Sequence, residues 1–401
     1  MQSDYSLLIT LGALIVLAPL VRSLLDRVGV PALVGYIGLG FALSMLDLQW
    51  SLITPASDAV LSTMAQLGIV ALLFRVGLRS HTRALLAKLP DASLLWLGDV
   101  LTNLALGYLV SRYALALSLE TSLIIAAAFS ATSVAVSVAV WDELNRLDTA
   151  RGQLLVDVAE LDDLSGVLIL AVLLAVIPIL QEGGSQLMPL AGVTVLSVLA
   201  KLVLFIAGCF LFAHFLEEKF TRFSQRLEGT STALTITILG VGLAIASIAG
   251  YLGFSLAIGA LFAGLAFSRD PEAVHSDSGF AYFYEFLVPF FFIYIGMQME
   301  PDALFTSLGT ASVLFLAAVL GKFAGVAGPA LLALGRSDAV LLGISMIPRA
   351  EIALVIMYQC RQFGEDIIPA GVFTGMVLVS LATSILSPLL LRRMLDREPA
   401  R

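Results

Sequence analysis

Asp162 and Asp163 stand side by side in Leu161-Asp162-Asp163-Leu164-Ser165-Gly166, and the chain then runs almost wholly apolar from Val167 to Leu180. Ionised carboxylates at membrane depth cost roughly 2.5–3.5 kcal/mol each on insertion scales, so such residues are kept for binding or moving charge. Neighbours on a helix point roughly 100° apart, so the two cannot do the same job. One can face a cationic partner while the other faces a cavity. The partner expected is Lys322, in Leu320-Gly321-Lys322-Phe323-Ala324-Gly325. At about 1.5 Å per residue, Asp163 lies about 15 Å from the start of its span, and Lys322 reaches a similar depth from the other side. Pairing them lowers the burial penalty of both. Asp157, Glu160 and Asp163 recur at three-residue steps, a drifting acidic stripe able to concentrate cations toward the pair. For Asp157 a second reading is a first-turn acid at a helix N-terminus.

The elements that must hold these residues are membrane helices. The chain is 59% hydrophobic and 13% charged, well above the apolar share of soluble domains. Windows long enough for a hydrocarbon core of about 30 Å give an all-α polytopic protein of about thirteen spans. Their limits are near 6–24, 30–46, 57–78, 93–112, 121–140, 153–179, 188–215, 230–249, 252–268, 280–299, 306–335, 338–360 and 368–391. With the N-terminus outside and the C-terminus inside, sixteen of the twenty-two Lys and Arg fall in cytoplasmic loops or the tail; only Arg112 and Arg361 fall outside. That asymmetry is the positive-inside rule. The first span is expected to stay, since it has no basic n-region and Arg22 and Arg27 flank it as a stop-transfer signal. A single transmembrane domain over 1–401 is expected, with no soluble regulatory domain. The longest loops lie near 217–229 and 268–279.

Two spans carry helix-weakening chemistry at mid-depth. The fifth contains Ser130-Ala131-Thr132-Ser133, and the twelfth contains Ser345-Met346-Ile347-Pro348-Arg349-Ala350-Glu351. Proline there removes a backbone donor and clashes with the preceding turn. Interrupted segments at corresponding places in two halves point to a transporter site. Seven spans separate them, so they cross in opposite directions, as inverted repeats require.

Other chemistries fit less well. An intramembrane aspartyl protease needs two carboxylates facing each other across a water, and adjacent residues on one helix diverge. His214 sits near a span end and reads as a capping or snorkelling side chain. Cys209 and Cys360 lie within spans and imply no disulfide framework. Arg75 is expected to pair with Asp99, and Lys201 to sit at a lipid or dimer boundary. No basic patch with stacked aromatics suggests nucleic acid, and no cofactor is implied.

At these residues the chain resembles the cation/proton antiporters of the NapA-like and Kef-type branch of the sodium/hydrogen exchanger superfamily, the cation/proton antiporter-2 family. The likeness runs through Val30-Pro31-Ala32-Leu33-Val34-Gly35-Tyr36, Leu72-Leu73-Phe74-Arg75-Val76-Gly77-Leu78, Ala131-Thr132-Ser133-Val134, and Asp162-Asp163 with Gly166. It continues in Tyr251-Leu252-Gly253-Phe254-Ser255, Gly259-Ala260, Pro289 to Met297, Gly321-Lys322 and Ile347-Pro348-Arg349-Ala350-Glu351.

The resemblance implies a dimerisation panel beside a core domain, a homodimer in lipid, two crossing unwound helices and elevator-type alternating access in a bacterial inner membrane. It implies that Asp163 is the principal cation and proton carboxylate and Asp162 the partner of Lys322. Thr132, with neighbouring Ser133 and nearby backbone, would coordinate the cation, and Arg349 and Glu351 would neutralise the half-helix ends. Paired aspartates with a lysine mark the electrogenic members. Two departures stand out: Arg79 where relatives carry an acid, and Glu160 where they carry a small or apolar residue. Kef-type relatives often add a nucleotide-binding regulatory domain, so potassium efflux gated through one is not expected of this chain alone; any regulatory subunit would be a separate chain. The activity implied is Na+(Li+)/H+ exchange, with K+/H+ exchange as the alternative and a sodium-coupled solute symporter of similar inverted-repeat architecture as a further one.

Overall fold

The computed structural model describes residues 2–79, 82–181, 188–217, 219, 231–268 and 278–396. Their regular structure is helical, without strands, as the apolar runs require: backbone groups in lipid must be satisfied within the segment. The helices are α1 (Gln2–Asp26), α2 (Ala32–Trp50), α3 (Pro55–Arg79), α4 (Thr82–Leu109), α5 (Leu119–Ser130), α6 (Val134–Glu143), α7 (Ala150–Gln181) and α8 (Met188–Phe215). There follow α9 (Ser231–Tyr251), α10 (Leu256–Ala266), α11 (Ser278–Met297), α12 (Pro301–Thr306), α13 (Leu308–Ala333), α14 (Arg336–Ser345), α15 (Glu351–Arg361) and α16 (Ala370–Leu395).

Among the described residues ten helical segments are long and apolar enough to cross a membrane, by length and composition. The chain is therefore an integral membrane protein. Three of the expected spans are not single long helices. The one expected at 252–268 contains a short apolar helix, Leu256–Ala266; the twelfth is split into α14 and α15, and the fifth into α5 and α6, with residues 131–133 unwound between them. The loops expected to be longest fall mostly outside the described residues.

The chain divides into two compact units: Met1–Val21, Gly35–Thr82 and Leu174–Met297 form one, and Arg22–Val34, Arg83–Leu173 and Gln298–Arg401 the other. In the first unit α3 packs closely on α10 and α11. Close approach needs glycine: a Cβ on Gly68 would meet the Leu287 carbonyl oxygen at 2.7 Å, and one on Gly77 the Leu265 amide at 2.7 Å. Arg75, expected beside Asp99, lies over the Tyr284 ring at 4.0 Å in this unit. Asp99 belongs to the other unit, where it has a different cation. Lys201 is exposed on α8, and His214 stands in that helix's last turn with its ring edge-on to Phe215 at 4.6 Å.

The second unit holds the acidic pair. Here α4 and α13 approach through glycines. A Cβ on Gly325 would fall 3.0 Å from Asp99 Cα, and one on Gly321 would fall 2.7 Å from Asn103 Oδ1. The absence of side chains at those positions lets Lys322, between them, reach α4. Each half-helix of one broken span packs on one of the other: α5 on α15, and α6 on α14. α7 begins at Ala150, three residues earlier than expected, with no acid in its first turn. Asp157 is thus two turns into the helix and is not a first-turn acid.

Candidate functional site

Why the two spans break is visible in their local chemistry. Ser118 caps α5, its hydroxyl accepting from the Thr121 amide at 3.1 Å. After the twelve residues of α5 the chain turns extended at Ala131 (φ −71°, ψ 138°). In the second span, Pro348 lies between α14 and α15 and cannot donate to a helix. The backbone groups released at the breaks find each other and their neighbours. Ser133 N–H donates to the Pro348 carbonyl at 2.8 Å. The Arg349 carbonyl accepts from Ser380 Oγ at 2.6 Å, while the Arg349 amide donates to Thr383 Oγ1 at 3.2 Å. Ser137 Oγ donates to the Ser345 carbonyl at 2.6 Å, and Ser387 Oγ to that of Ile344 at 2.8 Å.

The half-helix ends carry charge of the appropriate sign. The carbonyl end of α5, with its partial negative charge, receives the Arg349 guanidinium, which donates to the carbonyls of Phe129 and Ala131 and stands 4.6 Å above the Phe129 ring. Its other amino group donates to Asn103 Oδ1 at 2.7 Å and to the Ala318 carbonyl at 3.2 Å. Arg349 is 1% exposed. Glu351 opens α15 in its first turn, where the partial charge is positive, and accepts from Ser133 Oγ.

Lys322 and Asp162 meet as expected, and a third group joins them. The Lys322 ammonium, fully buried, donates to Asp162 Oδ2 at 3.1 Å, to Asp99 Oδ2 at 2.6 Å and to the Ser130 carbonyl at 2.6 Å. Those are all the donors an ammonium has. The two aspartates are held differently. Asp99 Oδ1 accepts from Asn103 Nδ2 at 2.7 Å, so both of its oxygens are engaged. Asp162 Oδ1 is buried without a hydrogen-bond partner, and so is Thr132 Oγ1.

Asp163 points elsewhere, as the helical phase requires. It is half-buried, and among the described residues it takes no hydrogen bond or ion pair. Glu160, one turn earlier, and Asp157 are also half-buried on α7. Gly166, one turn beyond Asp162, lets α7 approach the unwound segment: a Cβ there would meet Ala131 Cβ at 3.4 Å and Ile352 Cγ2 at 3.2 Å. The centre thus places Asp163, Asp162 Oδ1 and Thr132 Oγ1 on elements adjoining the first break. Carboxylate and hydroxyl oxygens are donors that suit hard cations.

Asp99 and Asn103 are the residues that the composition and motif reading did not assign to the site. The signal was present: an acid and an amide at i and i+4 in the middle of an apolar span. The hydroxyls of Ser380, Thr383, Ser384 and Ser387 on α16 are a second set, legible as a polar stripe at helical spacing.

A family model described as the transmembrane sodium/hydrogen exchanger matches residues 12–397. A high-affinity Na+/H+ antiporter, NhaS3, of Synechocystis sp. is 25% identical over 307 residues, covering 75% of this chain and 64% of its own length. A Na+/H+ antiporter of Enterococcus hirae is 26% identical over 369 residues, covering 91% of this chain and 92% of its own. In three dimensions the chain is similar to the sodium proton antiporter MjNhaP1 of Methanocaldococcus jannaschii. The TM-score is 0.69 over 98% of this chain and 99% of that one, at 16% identity.

Proposed function

From the premise that this chain belongs to the transmembrane sodium/hydrogen exchanger family, we propose that it is a secondary active antiporter exchanging Na+ or Li+ for H+. In this reading Asp163 binds either the cation or a proton, never both. Asp162 turns toward the cation as its contact with Lys322 loosens, and Thr132 with the adjoining Ser133 and backbone completes the oxygen shell. Arg349 and Glu351 hold the crossing in place, and Glu160 and Asp157 form the cytoplasmic approach. Alternating occupancy follows from electrostatics: the rearranging centre must not carry a bare charge through hydrocarbon, so either ligand compensates the carboxylates in turn.

The observation that carries the reading is the asymmetry of the pair. Asp162 is buried on an ammonium with one oxygen unfilled, and Asp163 beside it takes no hydrogen bond or ion pair among the described residues. A purely structural ion pair would leave neither.

We read Met1–Val21, Gly35–Thr82 and Leu174–Met297 as the dimerisation panel and the other unit as the mobile core. The topology proposed has thirteen spans with the N-terminus outside, in a homodimer that exchanges electrogenically. In everted vesicles preloaded with a proton gradient, addition of Na+ or Li+ is expected to release protons, and K+ added alone tests the potassium alternative. A sodium-coupled symporter would release none on sodium alone.

A further inference from the structure

The Lys322 ammonium has two carboxylate partners, and they are not equivalent. Asp99, on α4, is the nearer at 2.6 Å and is held from its other oxygen by Asn103. Asn103 is held in turn by Arg349, whose guanidinium clamps the carbonyl end of α5. Asp162 is the farther at 3.1 Å, and its second oxygen is unfilled. One partner is held from both oxygens; the other is held through one oxygen only.

We propose that Asp99 is a positioning residue that sets cation affinity: it retains Lys322 when Asp162 turns to the transported ion, and so fixes how strongly the ammonium competes with that ion for Asp162. This rests on Asp162 and Asp163 forming the ion site. The charges acting on Asp99 from the elements packed around it are Lys322 on α13, Asp162 on α7 and Arg349 at the second break. Three act from outside α4, two of them positive, so a single carboxylate there balances much of the local charge. Remove it, and Asp162 is the one carboxylate left on Lys322, beside the Ser130 carbonyl. The ammonium then holds the Asp162 carboxylate more strongly, and the site gains one unit of positive charge in a water-poor interior, where such charge is poorly screened.

The test uses the full chain in proteoliposomes and in detergent. Asp99→Asn keeps the side-chain shape and is expected to raise the KM for Na+ about tenfold or more with the maximal rate within about threefold. The sodium-dependent rise in melting temperature should shift to correspondingly higher concentration. A packing role alone would lower protein yield and rate without moving KM. In a Lys322→Gln background the same change should produce no further shift, because the effect runs through the lysine. Should Asp99→Asn not fold, the Asp99→Asn/Lys322→Gln pair is compared with Lys322→Gln alone. The pair should accumulate and melt higher, and the reverse order overturns the proposal. An unchanged KM in Asp99→Asn, with Asp163→Asn abolishing the sodium response, overturns this inference and leaves the ion site standing. A sodium response that survives Asp163→Asn overturns both.

Discussion

Ser133 donates its amide proton to the carbonyl of Pro348 across 2.8 Å, so each broken helix supplies a backbone partner that the other lacks. Unsatisfied peptide groups in a membrane cost several kcal/mol each, and the two breaks lower that cost jointly. The crossing is therefore one structural object, and a change at one break is felt at the other.

Arg349 ties that object together by donating to carbonyls of the α5 end, to Asn103 and to Ala318. Lysine has the charge but not the planar fork. Arg349→Lys is expected to destabilise the protein by about 2–4 kcal/mol and to abolish exchange, because carbonyls lose donors in a buried site. Melting in detergent alongside flux in vesicles checks this.

Lys322→Gln removes the cation between two buried carboxylates. Breaking a buried pair from one side costs about 3–5 kcal/mol, and here two acids, Asp99 and Asp162, are left facing each other. The expected result is a large fall in melting temperature at neutral pH that is partly reversed in acid, as protonation of the carboxylates removes their repulsion. A fall that deepens in acid would contradict the arrangement.

Thr132→Val keeps the shape and removes a hydroxyl that has no partner. Since no hydrogen bond is lost, stability should change by less than about 1 kcal/mol, while the KM for sodium rises. The comparison is a melting curve without sodium beside a sodium titration of flux. A stability loss above about 2 kcal/mol, roughly the cost of orphaning a buried partner, with unchanged KM would assign Thr132 to structure instead.

Asp163→Asn and Asp162→Asn should separate in the same way. Asp163 takes no ion pair among the described residues, so its amide form should fold as stably as the original and transport nothing. Asp162→Asn leaves Lys322 on Asp99, so it should also fold, with sodium affinity and the number of protons exchanged both altered. Reversal potentials measured at fixed ion gradients read the second effect.

Much of the site was legible before any coordinates. Composition identified membrane helices, the Ser/Thr cluster and Pro348 marked the breaks, and the isolated charges at mid-depth named Asp162, Asp163 and Lys322. Asp99 was assigned to Arg75 because both are lone charges in neighbouring spans. Depth and sequence order cannot say that Arg75 turns to Tyr284 while α4 turns its acid toward α13. What decides that is the glycine seam at Gly98, Gly321 and Gly325, a packing relationship between helices more than two hundred residues apart. The shortness of α10 (Leu256–Ala266) is not legible for a different reason: an apolar run does not by itself reveal where a helix within it begins and ends. Asp157 is ambiguous in sequence because the polar start of α7 hides the cap at Thr149, whose hydroxyl accepts from the Gly152 amide at 3.2 Å.

The central claim is that Asp163 alternates between cation and proton. Purified protein in proteoliposomes, with a pH gradient imposed and sodium, lithium or potassium added in turn, measures it directly. The account predicts that sodium or lithium collapses the gradient with the original chain and that no added cation does so with Asp163→Asn, although that variant melts at an unchanged temperature. Sodium-driven proton movement persisting in Asp163→Asn at the original rate would contradict it.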